Sequence, residues 1–230
     1  CATALANGAL KQRIAKKTGE KIVELTKKDV KPSQIMTQKA FENAIAVDMA
    51  LGGSTNTVLH VSAIAKEAGV KLQLATFNDA GKKIPHLCSM VPSGPFDMED
   101  LGNAGGLPAL IKELKPFVNF DALTVTGKTV GENIAEAKVI NAEVIRPLNN
   151  PVHKEGGIAI LKGNLAPKGA VVKMAAVSAK MMTHQGPAKV YDSEKEASAA
   201  MKRREVKAGD VVVIRYEGPK GGPGMPEMLM

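Results

Sequence analysis

Along the first half of the chain, apolar residues recur three and four apart, the spacing that lines one face of an α-helix. Asn7 to Leu25 carries Ile14, Ile22, Val23 and Leu25 in this pattern and predicts one or two helices. Pro32 interrupts, because proline fits a helix's first turn and disfavours helix in the residue before it. Thr37 is placed to cap an apolar helix over Ala40 to Leu51. Gly52-Gly53-Ser54-Thr55-Asn56 breaks the pattern, and Val58 to Ala68 resumes a helix closed by Gly69. Leu72-Gln73-Leu74 with Phe77 reads as a short strand, Pro85 to Pro95 as loop, and Met98 to Leu114 as helix broken at Gly105-Gly106. After Pro116 the period shifts towards two. Leu123 to Thr126, Ile158 to Leu161, Ala170 to Lys173 and Val211 to Ile214 then predict strands between turn residues, with a helix over Glu194 to Lys202. The fold class is therefore α/β. The change of period puts a domain boundary near residues 115–122, between a helix-rich first part and a β-rich second part that reads as a barrel with helices inserted.

Composition narrows the function classes. The 230 residues are 44% apolar and 23% charged, ordinary globular usage, and no run approaches the roughly 20 apolar residues of a membrane span. The net charge of +8 is divided evenly, +4 in residues 1–118 and +4 in residues 119–230. Its densest stretch, Lys11 to Lys39, interleaves charges with apolar residues at helical spacing, as a solvated helix face does. With only 3% aromatics to stack bases, the chain is expected to have no nucleic-acid partner. Cys1 and Cys88 form no paired motif, which argues against a disulfide scaffold or a self-contained zinc site and suits a reducing compartment, the cytoplasm or a eukaryotic organelle. A start at Cys1 and an end within a Gly/Pro-rich run suggest part of a longer protein.

Several segments are candidates for chemistry. In Gly52-Gly53-Ser54-Thr55-Asn56 the glycines allow a tight turn, and hydroxyls with N–H groups at a helix start suit an anion such as a substrate carboxylate. The plainer reading is a connection with Ser54 or Thr55 as cap, and His60, four residues after Asn56, shares that helix face. Arg215 to Leu229 follows a strand with four glycines and three prolines, an irregular path of the kind that builds sites. Within it, Glu227 is a hard oxygen donor suited to Mg²⁺, with Glu217 as the competing ligand; alone, each is one ligand of an incomplete site. Gly156-Gly157 and Gly163 to Gly169 border the same cleft or form tight β turns. Asp97 to Asp100 reads as helix-start acids, and His86 beside Cys88, with no third ligand nearby, is not expected to form a metal site.

Taken in order, Gly52 to His60, Pro92-Ser93-Gly94 with Asp100-Leu101, Ala104-Gly105-Gly106, Leu123 to Thr129, Gly163-Asn164-Leu165-Ala166-Pro167 and Arg215 through Leu229 resemble the dihydroxy-acid and sugar-acid dehydratase family. The resemblance implies a lyase that removes water from a 2,3-dihydroxy acid, giving an enol that tautomerises to a 2-keto acid. It implies an iron–sulfur cluster (2Fe–2S or 4Fe–4S) held by three cysteines, Mg²⁺ on the substrate's carboxylate and 2-hydroxyl, and a serine alkoxide that takes the C2 proton. The Thr57-Val58-Leu59-His60 ending is similar to the enzyme of branched-chain amino-acid biosynthesis, which converts 2,3-dihydroxy-3-methylbutanoate to 3-methyl-2-oxobutanoate. The alternatives are a sugar-acid dehydratase acting on phosphogluconate, gluconate or arabinonate, and a non-catalytic β-domain interaction module. Glu227 matches the family's magnesium ligand, while Ser54, Thr55 and Asn56 are candidates for holding the substrate. The family's cluster cysteines precede Cys1 and its catalytic serine follows Met230, so Cys1 is expected not to be a ligand and Cys88 has no functional counterpart. The resemblance thus implies an internal fragment, inactive alone, of a homodimeric enzyme, in which residues 1–118 are the C-terminal part of the N-terminal α/β domain and residues 119–230 an incomplete, β-barrel-like, swivelling second domain.

Overall fold

The computed structural model describes residues 3–218, and the chain divides into two compact units, Cys1–Ala176 and Val177–Met230. The first unit opens with one continuous helix, α1 (Ala9–Lys27), which buries Leu25 and leaves Leu10, Ile22 and Val23 exposed. Pro32 takes the first position of the one-turn helix α2 (Pro32–Ile35), where an N–H would have had no helical partner. Thr37 caps α3 (Gln38–Leu51), its hydroxyl accepting from the Ala40 N–H at 3.4 Å. Gly52 ends α3 in the left-handed conformation, φ 72°, which costs glycine no Cβ clash. Ser54 starts α4 (Thr55–Glu67), its hydroxyl accepting from the Asn56 N–H at 3.3 Å.

Two stretches expected as strands fold otherwise. Leu74 to Phe77 belongs to helix α5 (Leu74–Lys83), because Phe77 and Gly81, one turn apart, face inward while α5 packs on α3 and on the later strand β1. Leu123 to Thr126 runs into a turn, closed by the Thr124 N–H donating to the Lys128 carbonyl at 2.9 Å. The Thr124 and Thr126 hydroxyls bond each other at 2.9 Å and both bond Asn133, so local polar bonds take the groups that a strand would project. Between these stretches lie α6 (Met98–Asn103), capped by Asp97, and α7 (Gly106–Glu113). The turn leads into α8 (Val130–Ile134), capped by Thr129. Strands β1 (Ile158–Leu161) and β2 (Ala170–Lys173) form an antiparallel hairpin, with Ile158 opposite Lys173 and Leu161 opposite Ala170. α5 covers β1 and α4 covers β2. The core between them is filled by Ile45, Met49, Phe77, Leu87, Leu110 and Ile158, all fully buried.

The second unit is a parallel pair, β3 (Ala188–Tyr191) and β4 (Val211–Ile214), joined through α9 (Glu194–Lys202) as parallel strands require a crossover. The architecture is thus mixed α/β. The barrel expected for the second half does not appear among the described residues: each sheet has two strands, too few to close. Among the described residues no helix is long and apolar enough to cross a membrane.

The entry to β1 depends on a close backbone approach. Gly157 donates its N–H to the Met49 carbonyl at 3.0 Å, Gly156 donates to Gly81 at 2.7 Å, and a Cβ on Gly157 would overlap the Cα of Gly52. Gly157→Ala should therefore lower stability in urea by about 1–3 kcal/mol, the cost of overpacking. Gly163→Ala, where a Cβ meets nothing within 4 Å, should stay within about 0.5 kcal/mol. Equal effects at the two positions would show that the close approach is not the cause.

Candidate functional site

The Gly52-to-Asn56 turn joins two helices that end and begin at the same point, and its conformation is set from below. Asp48, on the last turn of α3 between the buried Ile45 and Met49, is 8% exposed. Its Oδ1 accepts from the Ser54 N–H at 3.4 Å and lies so close to Gly53 that any side chain there would collide with it. Burial raises the Asp48 pKa; hydrogen bonds from the Thr57 hydroxyl and the Ser54 amide oppose this, as does the positive charge of Lys173 on β2. The other oxygen, Oδ2, is buried and has no hydrogen-bond partner among the described residues. Above this carboxylate Ser54 is exposed, and Thr55 and Asn56 are half-buried in the first turn of α4. Three candidate residues thus lie together at the positive end of a 13-residue helix. His60 is exposed one turn further on.

Beneath Gly52 lies a histidine pair. The His86 Nε2 is 2.7 Å from the Cys88 carbonyl, which can only accept, so Nε2 carries the proton and Nδ1 accepts from the Nδ1–H of His153 at 2.9 Å. The ring centroids are 5.1 Å apart with planes inclined by 13°. That separation is nearly the nitrogen gap plus two ring radii, so the rings lie edge to edge in a common plane rather than face to face. A Cβ on Gly52 would sit 2.5 Å from His86 Nε2, so the ring occupies the space that glycine leaves. Gly156-Gly157 meets the same turn through Met49 and Gly52, which brings the second glycine cluster to the first. Gly163 to Gly169 instead connects β1 to β2, as a tight turn would.

The implied metal groups find no place among the described residues. No group of three or more His, Cys, Asp or Glu side chains there could hold a metal ion. The Cys88 thiol is buried, and burial pushes it up to about 12, which keeps it protonated. His86 and Cys88 are not a metal pair, because the imidazole bonds the Cys88 carbonyl. Glu227 lies outside the described residues. Glu217 accepts the Glu194 N–H at the start of α9 at 2.8 Å, which engages one of its oxygens. At the head of the same loop Arg215 bonds Asp192 and lies 5.0 Å from the Tyr216 ring, whose residue adopts φ 63°. Asp97 accepts from Glu99 and Asp100 as a helix cap, at 2.8 and 3.0 Å.

Asp48, His153 and Lys173 are the site residues that motif reading passed over. For Asp48 there is a signal: it is the one charge on the buried face of an apolar helix.

Burial lowers the His86 pKa, the Cys88 carbonyl raises it, and charges on His153 and Lys173 lower it further. A charged His86 would also set an N–H on Nδ1 against that of His153. The unfolded chain therefore takes up this proton more readily than the folded one, and stability is lost as pH falls below the ordinary value of 6.5. Urea midpoints measured from about pH 7 to about pH 5 should fall less for His86→Gln, which keeps a donor for the Cys88 carbonyl but does not titrate. An equal fall would place the acid sensitivity elsewhere.

Comparison with known proteins bears on the same segments. Residues 1–133 match the family model for the dihydroxy-acid/6-phosphogluconate dehydratase N-terminal domain, and residues 143–230 match that for the C-terminal domain. The chain is 56% identical over 219 residues to a dihydroxy-acid dehydratase of Halothermothrix orenii, covering 94% of this chain and 40% of that protein. It is 56% identical over 233 residues to dihydroxy-acid dehydratase 1 of Methanosarcina acetivorans, covering 100% of this chain and 42% of that protein. A dihydroxy-acid dehydratase of Methanothermobacter thermautotrophicus is 54% identical over 230 residues, again covering 100% of this chain and 42% of its own length. The chain therefore spans about two fifths of the length of the curated relatives it matches. Matched from end to end apart from a short gap, it belongs to the dihydroxy-acid/6-phosphogluconate dehydratase family.

Proposed function

We propose that the parent of this chain is a hydro-lyase that dehydrates 2,3-dihydroxy-3-methylbutanoate to 3-methyl-2-oxobutanoate in branched-chain amino-acid biosynthesis. The observation that carries this reading is identity of 54–58% across almost the whole chain to relatives named dihydroxy-acid dehydratase. In the reaction the C3–O bond breaks, C2 loses its proton, and the resulting enol takes a proton at C3 to give the keto acid. The contribution proposed for this chain is binding. The α4 N-terminus with Ser54, Thr55 and Asn56 is proposed to hold the substrate carboxylate, where helix-end partial charge favours an anion. Glu227 is proposed as a Mg²⁺ ligand, and the cysteines of the iron–sulfur cluster and the proton-accepting serine are placed in parts of the parent outside this chain. The β-rich half is proposed to join a barrel-like domain in a homodimeric parent.

A sugar-acid substrate is the second reading, because the family description itself includes 6-phosphogluconate. The full-length parent, purified anaerobically and supplied with iron, sulfide and Mg²⁺, should show kcat/KM at least about tenfold higher on 2,3-dihydroxy-3-methylbutanoate than on 6-phosphogluconate, gluconate or arabinonate, with the 2-keto acid followed directly. Preference for a sugar acid would transfer the proposal to that substrate. No turnover of any of them would remove it.

A further inference from the structure

We infer that Asp48 is a positioning residue for the substrate-binding turn Ser54-Thr55-Asn56, an inference that rests on the dehydratase reading above. Three observations converge on it. Asp48 spans the break between α3 and α4, reaching under Gly53 to accept the Ser54 N–H, and the Thr57 hydroxyl in the first turn of α4 favours its charged form. It thereby holds Ser54 in its extended conformation, φ −127° and ψ 142°, from which the hydroxyl turns back to the Asn56 N–H. The carboxylate is also poorly matched to a purely structural task. It is 8% exposed on the buried face of α3 with Ile45, Ala46 and Met49, and among the described residues its Oδ2 has no hydrogen-bond partner and no ion pair holds it. A buried carboxylate so weakly paired is expensive, and well-packed neutral replacements of such groups are often neutral or stabilising. A residue kept at that cost is accounted for by what it aligns.

The charged and titratable groups around it separate its behaviour from theirs. Lys173, on β2, is the cation that acts on Asp48, and it acts also on His86, which burial keeps neutral and which His153 bonds. Protonating Asp48 weakens its grip on the Ser54 amide and the Thr57 hydroxyl, because a neutral carboxyl is the poorer acceptor. The raised pKa places that loss above the ordinary carboxylate range. Substrate binding should therefore decline on the acid side through Asp48, in addition to any decline through His86.

The test uses the full-length parent with Asp48→Asn and Thr57→Val. Asp48→Asn should raise KM for 2,3-dihydroxy-3-methylbutanoate about tenfold while kcat stays within about threefold. Its melting temperature should be unchanged or higher, and the acid limb of kcat/KM attributable to this group should vanish. Thr57→Val, which removes one partner and leaves the carboxylate, should raise KM in the same direction by a smaller factor. Unchanged KM and an unchanged acid limb in Asp48→Asn would overturn the inference, as would unchanged KM in Thr57→Val if Asp48→Asn fails to fold. A wild-type parent that dehydrates none of the acids removes the functional reading and this inference together. An active wild type with indifferent variants removes the inference alone.

Discussion

Backbone lies against backbone where Gly157 meets Gly52, and much of the first unit is arranged around that contact. Side chains normally keep main chains apart, so such an approach requires glycine on at least the facing side. Here it lets the Gly157 N–H reach the Met49 carbonyl in the last turn of α3, which also accepts the Gly52 N–H at 3.4 Å. Gly156 does the same for Gly81 in α5, so one dipeptide ties two helices to the start of β1. On the opposite side of Gly52 the His86 ring fills the space a Cβ would need. The turn that carries Ser54, Thr55 and Asn56 is thus fixed by contacts to the helix end before it, the hairpin beside it and the histidine below it.

Stability and proposed function pull apart at this turn. Packing of Phe77, Met49, Leu87 and Ile158 is apolar and close, yet a carboxylate and an imidazole are buried within a few residues of it. Each is moved by burial towards its neutral form, Asp48 upward and His86 downward. The two shifts have opposite consequences with pH. Asp48 contributes stability that is lost as pH rises through its raised value, whereas the stability tied to neutral His86 is lost as pH falls. A structural scaffold alone would be better served by apolar residues at both places.

Much of this was legible in the sequence. Thr37, Gly52, Ser54 and Asp97 announced helix ends because caps and left-handed glycines are local chemistry, and the apolar runs Ile158 to Leu161 and Val211 to Ile214 announced strands. The grouping of Ser54 to Asn56 at one helix start was likewise local. Leu72 to Phe77 misled because a short apolar run has no period of its own; packing of Phe77 on α3 and β1 decides it as helix. Leu123 to Thr126 misled because threonine suits a strand and a hydrogen-bonded turn equally, and Asn133, nine residues after Thr124, settles the choice. The link between Gly52 and Gly157 joins positions more than a hundred residues apart, and the His86 to His153 bond spans 67, so neither leaves a local trace.

The glycine contact is a fixed part of the folded unit. Residue-resolved amide hydrogen exchange under native conditions tests it most directly, reading Gly156 and Gly157 against Gly163 in the β1–β2 connection. The Gly156 and Gly157 amides should exchange only with global unfolding, in step with amides in the middle of α3, while Gly163 exchanges at loop rates. Exchange of Gly157 at the rate of Gly163 would contradict it.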